Sequence, residues 1–447
     1  MRLPLALLGV VVCSSWIVAA DGDKSPQWHH WRGPDENGFA AKATPPLHWS
    51  ATANIRWKAA LPGKGSSTPI VWGERVFLMA AEKTNREAKP DELPKPDPRF
   101  TPKTEPPRHF YKFLVLGFDR NTGKKLWEKV AAVRVPHEGH HASHSYCAGS
   151  PTTDGQRLYA SFGSFGTYCY DFNGKLLWSR DFGRMNTRLG WGEAVTPAIH
   201  GDSLLLNFDQ EADSLLYCLD PATGNTRWAA KRNEKTSWNT PLVAEFGGKT
   251  QVIVNGTARI RSHDLATGKV LWSCGGMTTN AIPSPVRLGD SVLCMSGYGP
   301  GQVVSIPLDS RGDLGLDGTV NWRHKGGTPY VPSPLLADGR LYFTQLNDNL
   351  LTVLDAGTGK VLIDKERLPG VRNFYASPLG AAGRVYFVDR YGTTLVIKAG
   401  KEEVEVLATN KLDDAIDASP VAVGKQLFLR GEKFLYCIEE PSSEPRP

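Results

Sequence analysis

The chain has 447 residues, of which 40% are hydrophobic and 22% charged, and a formal net charge of +6. So small a charge over this length, with no long basic run, gives nucleic-acid binding little support. The 45 glycines and 32 prolines point to many turns, and beyond residue 20 no stretch is apolar for long enough to span a membrane.

Residues 1–20 read as a secretory signal. Arg2 gives a positive start, Leu3–Val12 an apolar core, and Val18-Ala19-Ala20 a small-residue cleavage site before Asp21. Ser14, Ser15 and the shortness of the core argue against a transmembrane anchor. Cys13 follows Val12, where a lipid-attachment signal wants a small residue. The mature chain is therefore expected to be exported, periplasmic or secreted, and soluble. Residues 21–53 carry WHHWRGPDENG and read as an ordered arm packed on the body, because Trp28 and Trp31 are costly to leave in water.

From Ser67 onward a Ser or Thr precedes a proline, and a turn and an apolar strand follow. The prolines are Pro69, Pro151, Pro197, Pro241, Pro285, Pro334, Pro378 and Pro420, spaced 42–49 residues apart except for one gap of 82. Runs such as RVFLMA, SLLLNF, QVIVNG and RVYFVD argue for strands, and proline is tolerated where a strand begins. A period of 40–50 residues with several strands in each unit is the signature of propeller blades. The long gap has a visible cause. Residues 82–112 are rich in proline and mixed charge, and read as a surface insertion inside the first blade.

A second motif recurs within each unit. Asp119, Gly123 and Trp127 belong to D-x-x-T-G-K-x-x-W, as do Asp264, Gly268 and Trp272; Asp220, Gly224 and Trp228 keep the spacing with Asn225 for lysine. Asp171, Gly174 and Trp178 form a copy one residue shorter, Trp322 ends the fifth unit, and Asp355 and Gly359 lead to Ile363 instead of tryptophan. The aspartate is expected to cap a turn whose glycine takes a positive φ. The tryptophans are expected to lie flat between neighbouring blades. Fold class is thus all-β: an eight-bladed β-propeller of four-stranded antiparallel blades. The last unit, ending in LYCIE before a tail at 439–447, has no closing strand of its own. Asn54–Lys58, containing Trp57, is expected to supply it and so bury both terminal edges of a propeller spanning 54–438.

Six cysteines follow residue 20: Cys147, Cys169, Cys218, Cys274, Cys294 and Cys437. Three occupy one place in their repeats (TYCYD, LYCLD, LYCIE), as buried core residues would, and no zinc-type spacing is present.

On the Asp-x-x-Thr-Gly-Lys-x-x-Trp units, the chain resembles the pyrroloquinoline-quinone (PQQ)-like repeat family of eight-bladed propellers, across essentially all of its mature length. With the WRGPDENG arm it is similar to the exported PQQ-like propellers of planctomycete-type bacteria and to BamB-like scaffolds. In that family the repeat holds blades together and does not bind the quinone. True quinoprotein dehydrogenases add an adjacent cysteine pair, calcium ligands and a catalytic aspartate over the channel, and this chain has no adjacent cysteines.

Functional residues of a propeller gather on the loops at one end of its channel. Here the segments preceding each Ser/Thr-Pro contribute His144, Tyr146, Arg188, Trp191, Glu193, Trp238, Asn280, Tyr330, Arg372, Tyr375 and Asp417, a composition that binding surfaces favour. Glu193, Asn280 and Asp417 have the oxygen donors for a calcium ion, with Trp238 as a stacking platform, but no spacing supports it. His137, His140, His141 and His144 form the one cluster with transition-metal character, and a polar loop is the expectation there. No phosphate loop, nucleophile elbow or HExxH motif is present. The expectation is a non-catalytic, monomeric scaffold that binds a protein or polymer partner and no nucleic acid, without a bound cofactor. The alternatives are a PQQ- and calcium-dependent dehydrogenase and a polysaccharide-active propeller enzyme.

Overall fold

The computed structural model describes residues 27–316 and 318–441. The signal expected at residues 1–20, the first residues of the arm and the end of the tail lie outside them. Among the described residues no helix is long and apolar enough to cross a membrane.

Eight separate sheets follow one another along the chain, each with four antiparallel strands; seven draw these from one stretch of sequence, and the eighth takes its outer strand from the N-terminal side. Blade three is representative: Ala198–His200 lies innermost, followed by Ser203–Phe208, Ser214–Leu219 and Thr226–Arg232. The middle strands are buried on both faces, and each blade packs its apolar side chains against the next. In blade one the second and third strands are long, Arg75–Glu87 and His109–Asp119. Both ends of the segment expected as an insertion at 82–112 are therefore paired strand, and the excursion outside the sheet is 88–108.

Blade eight closes as a borrowed sheet. Ile55–Ala60 lies antiparallel to Phe434–Ile438, with Trp57 opposite Cys437. Trp57 is 8% exposed, and its indole N–H donates to the Arg120 carbonyl of blade one at 2.8 Å. The first and last blades are thereby tied across the point where the chain begins and ends.

The D-x-x-T-G turns use their residues as local chemistry requires. Asp220 Oδ1 accepts from the Ala222 and Thr223 amides and the Thr223 hydroxyl, while Gly224 adopts φ 70°, which L side chains disfavour. A Cβ on Gly224 would sit 2.6 Å from the Trp178 ring of the preceding blade. Turn and tryptophan of one motif thus serve different neighbours. Trp57, Trp127, Trp178 and Trp228 each donate to the carbonyl that follows the turn aspartate of the next blade: Arg120, Phe172, Pro221 and Leu265, at 2.8–3.0 Å.

The residue facing each of these tryptophans across the sheet is small. The pairs are Gly117–Trp127, Cys169–Trp178, Cys218–Trp228, Ser262–Trp272, Ser305–Trp322 and Cys437–Trp57. In blades six and seven, where the tryptophan is replaced by Ile363 and Ala408, the facing residue is valine, Val353 or Val396. An indole lying over its own sheet leaves no room for a branched side chain, so the two positions vary together by volume. The six described cysteines are free and buried.

Blade five has no D-x-x-T-G turn to receive Trp272. Blade five compensates with its own Gly312–Asp313, which adds a fifth, parallel strand to the preceding blade beside Trp272 and Ser273. Trp272 is fully buried, and its N–H turns inward to Gln251 Oε1 at 3.0 Å.

Candidate functional site

The Ser/Thr-Pro units assemble the channel wall. Proline opens each inner strand, and the hydroxyl before it accepts a bond from the backbone amide of the equivalent residue one blade earlier. Thr68 N donates to Ser150 Oγ, Ser150 N to Thr196 Oγ1, Thr240 N to Ser284 Oγ and Ser284 N to Ser333 Oγ. Ser333 N then donates to Ser377 Oγ, Ser377 N to Ser419 Oγ, and Ser419 N back to Thr68 Oγ1. These seven bonds span 2.9–3.1 Å. At the remaining position, Thr240 Oγ1 accepts from the indole N–H of Trp31 at 3.1 Å.

Trp31 belongs to the N-terminal arm, which runs through the channel. Trp28 forms a two-way backbone bridge with Val71 of blade one, and the His29 carbonyl accepts from Thr153 of blade two. Arg32 donates to the Pro334 and Pro378 carbonyls of blades six and seven at 2.6 and 3.0 Å, and Phe39–Ala40 adds a parallel strand to the inner edge of blade seven. Residues so close in sequence reach blades one, two, four, six and seven only from inside the ring. The glycines of WRGPDENG serve this path: at Gly38 (φ 81°) a Cβ would lie 2.2 Å from Arg32 Nη2.

Beside this plug lies a cavity of about 220 Å³. All eight ring hydroxyls line it, together with Trp31, Trp191, Trp238, Tyr330, Tyr375, His141, His144 and Asp417. The aromatic groups are fixed by polar contacts. Trp238 Nε1 donates to Gly192 O at 2.8 Å, Tyr375 OH to Ser143 Oγ at 2.9 Å, and Asn280 Nδ2 to Tyr330 OH at 3.1 Å. Burial pushes the His144 imidazole down to about 4, so it is neutral at physiological pH. The one carboxylate in the wall, Asp417, is held by both prongs of Arg390 at 2.6 and 2.9 Å, and that guanidinium lies over the Tyr375 ring. The lining is thus aromatic and hydroxylic, with its charge paired. The two free carboxyl groups that glycoside hydrolysis uses are not presented there.

Of the mouth residues picked out by sequence, His144, Trp191, Trp238, Tyr330, Tyr375 and Asp417 converge on this cavity. Tyr146 and Glu193 line a separate, smaller one of about 20 Å³. Arg188 and Arg372 stand outside both walls; the Arg188 amide donates to Thr236 Oγ1, and Arg372 lies over Tyr391. Glu193, Asn280 and Asp417 each have separate partners: Ser164, Tyr330 and Arg390. Of the four clustered histidines, only His137 joins other metal-type donors, Glu138 and Glu193. His140, His141 and His144 instead bond the His141 carbonyl, Ser143 and the Ser145 carbonyl. Trp31 and the hydroxyl ring were not legible as site residues, although the hydroxyl before every proline was their visible trace.

A family model described as outer membrane protein assembly factor BamB (PQQ_2) matches residues 112–363. A curated relative, the outer membrane protein assembly factor BamB of Moranella endobia, is 23% identical over 261 residues, 55% of this chain. The chain spans 61% of that relative's length. Among solved structures, BamB from Moraxella catarrhalis aligns with a TM-score of 0.51 at 12% identity, covering 80% of this chain and 98% of that one. The quinohemoprotein alcohol dehydrogenase of Comamonas testosteroni aligns with 0.64 at 10% identity, covering 96% and 83%. At such identities these structures share the fold alone.

Proposed function

Because the chain belongs to the PQQ_2 family of BamB-type propellers, we propose that it is an exported, non-catalytic scaffold that binds a protein or polymer partner through its channel mouth. The observation that carries this reading is the mouth itself. Trp191, Trp238, Tyr330 and Tyr375 come from separate blades, and the last three are hydrogen-bonded in place, around a cavity whose only carboxylate among the described residues is paired. Rigid aromatic groups with polar tips give large contact area at small entropic cost. The arm supports a binding role too, since it fills the channel core and leaves the rim for recognition.

No quinone is required in this reading. The oxygen-bearing side chains best suited to a calcium ion at the mouth are spread over three separate sets of partners. Protein from its own host, carrying a photo-crosslinking residue at Trp238 or Tyr375, should capture one recurrent macromolecule. The same residue at Val270, exposed on an outer strand, should not. Equal capture at all three positions would overturn the scaffold reading. So would dye reduction that depends on added PQQ and calcium, which would favour the dehydrogenase alternative.

A further inference from the structure

Behind the mouth, three donors from two separate loops meet at one small cavity. His137 and Glu138 follow the outer strand of blade one, Lys125–Arg134, and Glu193 precedes blade three. One ligand-type atom from each lies within 4.8 Å of the others, and all three line the enclosed space of about 20 Å³, room for a single water or ion. Neither carboxylate has an ion-pair partner among the described residues.

Each donor is also oriented from behind by a neutral group. The His137 Nε2–H donates to the Met185 carbonyl at 2.7 Å, which leaves the Nδ1 lone pair free. Glu138 accepts from the amide and hydroxyl of Thr187. Glu193 accepts from the amide and hydroxyl of Ser164 at 2.7 and 2.6 Å. An imidazole bonded through its other nitrogen to a carbonyl, beside hydrogen-bonded carboxylates, is how metal ligands are held in place. Cys147 lines the same cavity and is 3% exposed.

We propose that His137, Glu138 and Glu193 bind one divalent transition-metal ion of the zinc class. A tetrahedral zinc ion with bonds of about 2.0–2.2 Å sets its ligands roughly 3.3–3.6 Å apart, a spacing that donors already within 4.8 Å reach by small side-chain rotations. Imidazole among the donors favours a borderline-soft ion over calcium or magnesium. The ion would fasten together the loops that carry His141 and Trp191, already joined by the bond from His141 N to Trp191 O. It would therefore set the geometry of the mouth without entering the larger cavity. The site does not depend on the scaffold reading.

The test uses tag-free full-length protein, stripped with chelator and equilibrated with zinc chloride. One zinc per chain is expected by elemental analysis. The affinity should fall ~100-fold or more in Glu138→Gln and in Glu193→Gln, and stay unchanged in a His140→Ala/His141→Ala double variant. Zinc should raise the melting temperature of the wild type and not that of Glu193→Gln. Cobalt bound to the wild-type protein should give d–d absorption that one equivalent of zinc removes, a readout that needs no variant to fold. Absence of that absorption, full binding by Glu193→Gln, loss of binding in the double variant, or displacement of zinc by equimolar calcium would each overturn the proposal.

Discussion

At the outer rim, six blades place a tryptophan over a small facing residue, and in the two blades without the tryptophan the facing residue is valine. Around the channel, eight hydroxyls stand in equivalent places and seven of them receive the same backbone bond, while the eighth receives Trp31 from the arm. Both regions are built by repetition. At the rim a departure is repaired locally, as when Gly312–Asp313 covers Trp272. In the channel the departure admits a foreign segment and turns a symmetric tube into a lined cavity with one particular floor. Repetition supplies the walls, and the break in it supplies the individuality of the site.

The comparison is broken most forcefully at the rim. Trp272→Ala, which empties a fully buried indole, should cost about 3–5 kcal/mol in urea unfolding. Trp322→Ala should cost less than half of that, because this ring is only partly buried and its N–H has no partner among the described residues. Equal losses would mean that seam burial does not set the energetics. Next in size is Cys218→Val, which forces a branched side chain under Trp228 and should cost about 1–3 kcal/mol. Val396→Cys, in a blade without the tryptophan, should cost no more than about 1 kcal/mol.

On the channel side, Trp31→Phe removes the pyrrole half of the indole together with the bond to Thr240, for a loss of about 1–3 kcal/mol. Thr240→Val, which removes the acceptor alone, should cost about 1 kcal/mol. Because both changes remove the same bond, the double variant should lose little more than Trp31→Phe alone, and a denaturant double-mutant cycle reads that coupling. Full additivity would separate the arm from the ring. The smallest effect concerns the turns. Asp220 is held down to about 2, first by Arg227 and then by the Thr223 amide. Its folded value is depressed, so its contribution is fully present above the ordinary carboxylate range near 4 and fades as pH falls towards 2. For so exposed a group this is worth no more than about 1 kcal/mol. The melting-temperature advantage of wild type over Asp220→Asn should therefore shrink below about pH 4.

Blade number, strand type and ring closure were all legible in the chain, because each rests on local residue types recurring at a fixed period. The match between tryptophan and small partner was half legible. The cysteines of TYCYD, LYCLD and LYCIE marked equivalent slots, but the glycine and serines in the same slots did not stand out. Among the mouth residues, Trp191, Trp238, Tyr330 and Tyr375 line the larger cavity and Tyr146 the smaller one, whereas Arg188 and Arg372 line neither, and the Arg372 guanidinium lies over Tyr391. A loop's position follows from the blade it precedes, but a side chain's direction follows from neighbours on other blades.

What the sequence determined by itself was the eight-bladed ring and the strand that closes it, since periodic burial and turn chemistry act within a few dozen residues. What only the tertiary structure decided was the content of the ring. Trp31 meets Thr240 across 209 residues, and His137 meets Glu193 through loops of different blades. Contacts of that range carry no local signal, because the propeller alone brings their residues together.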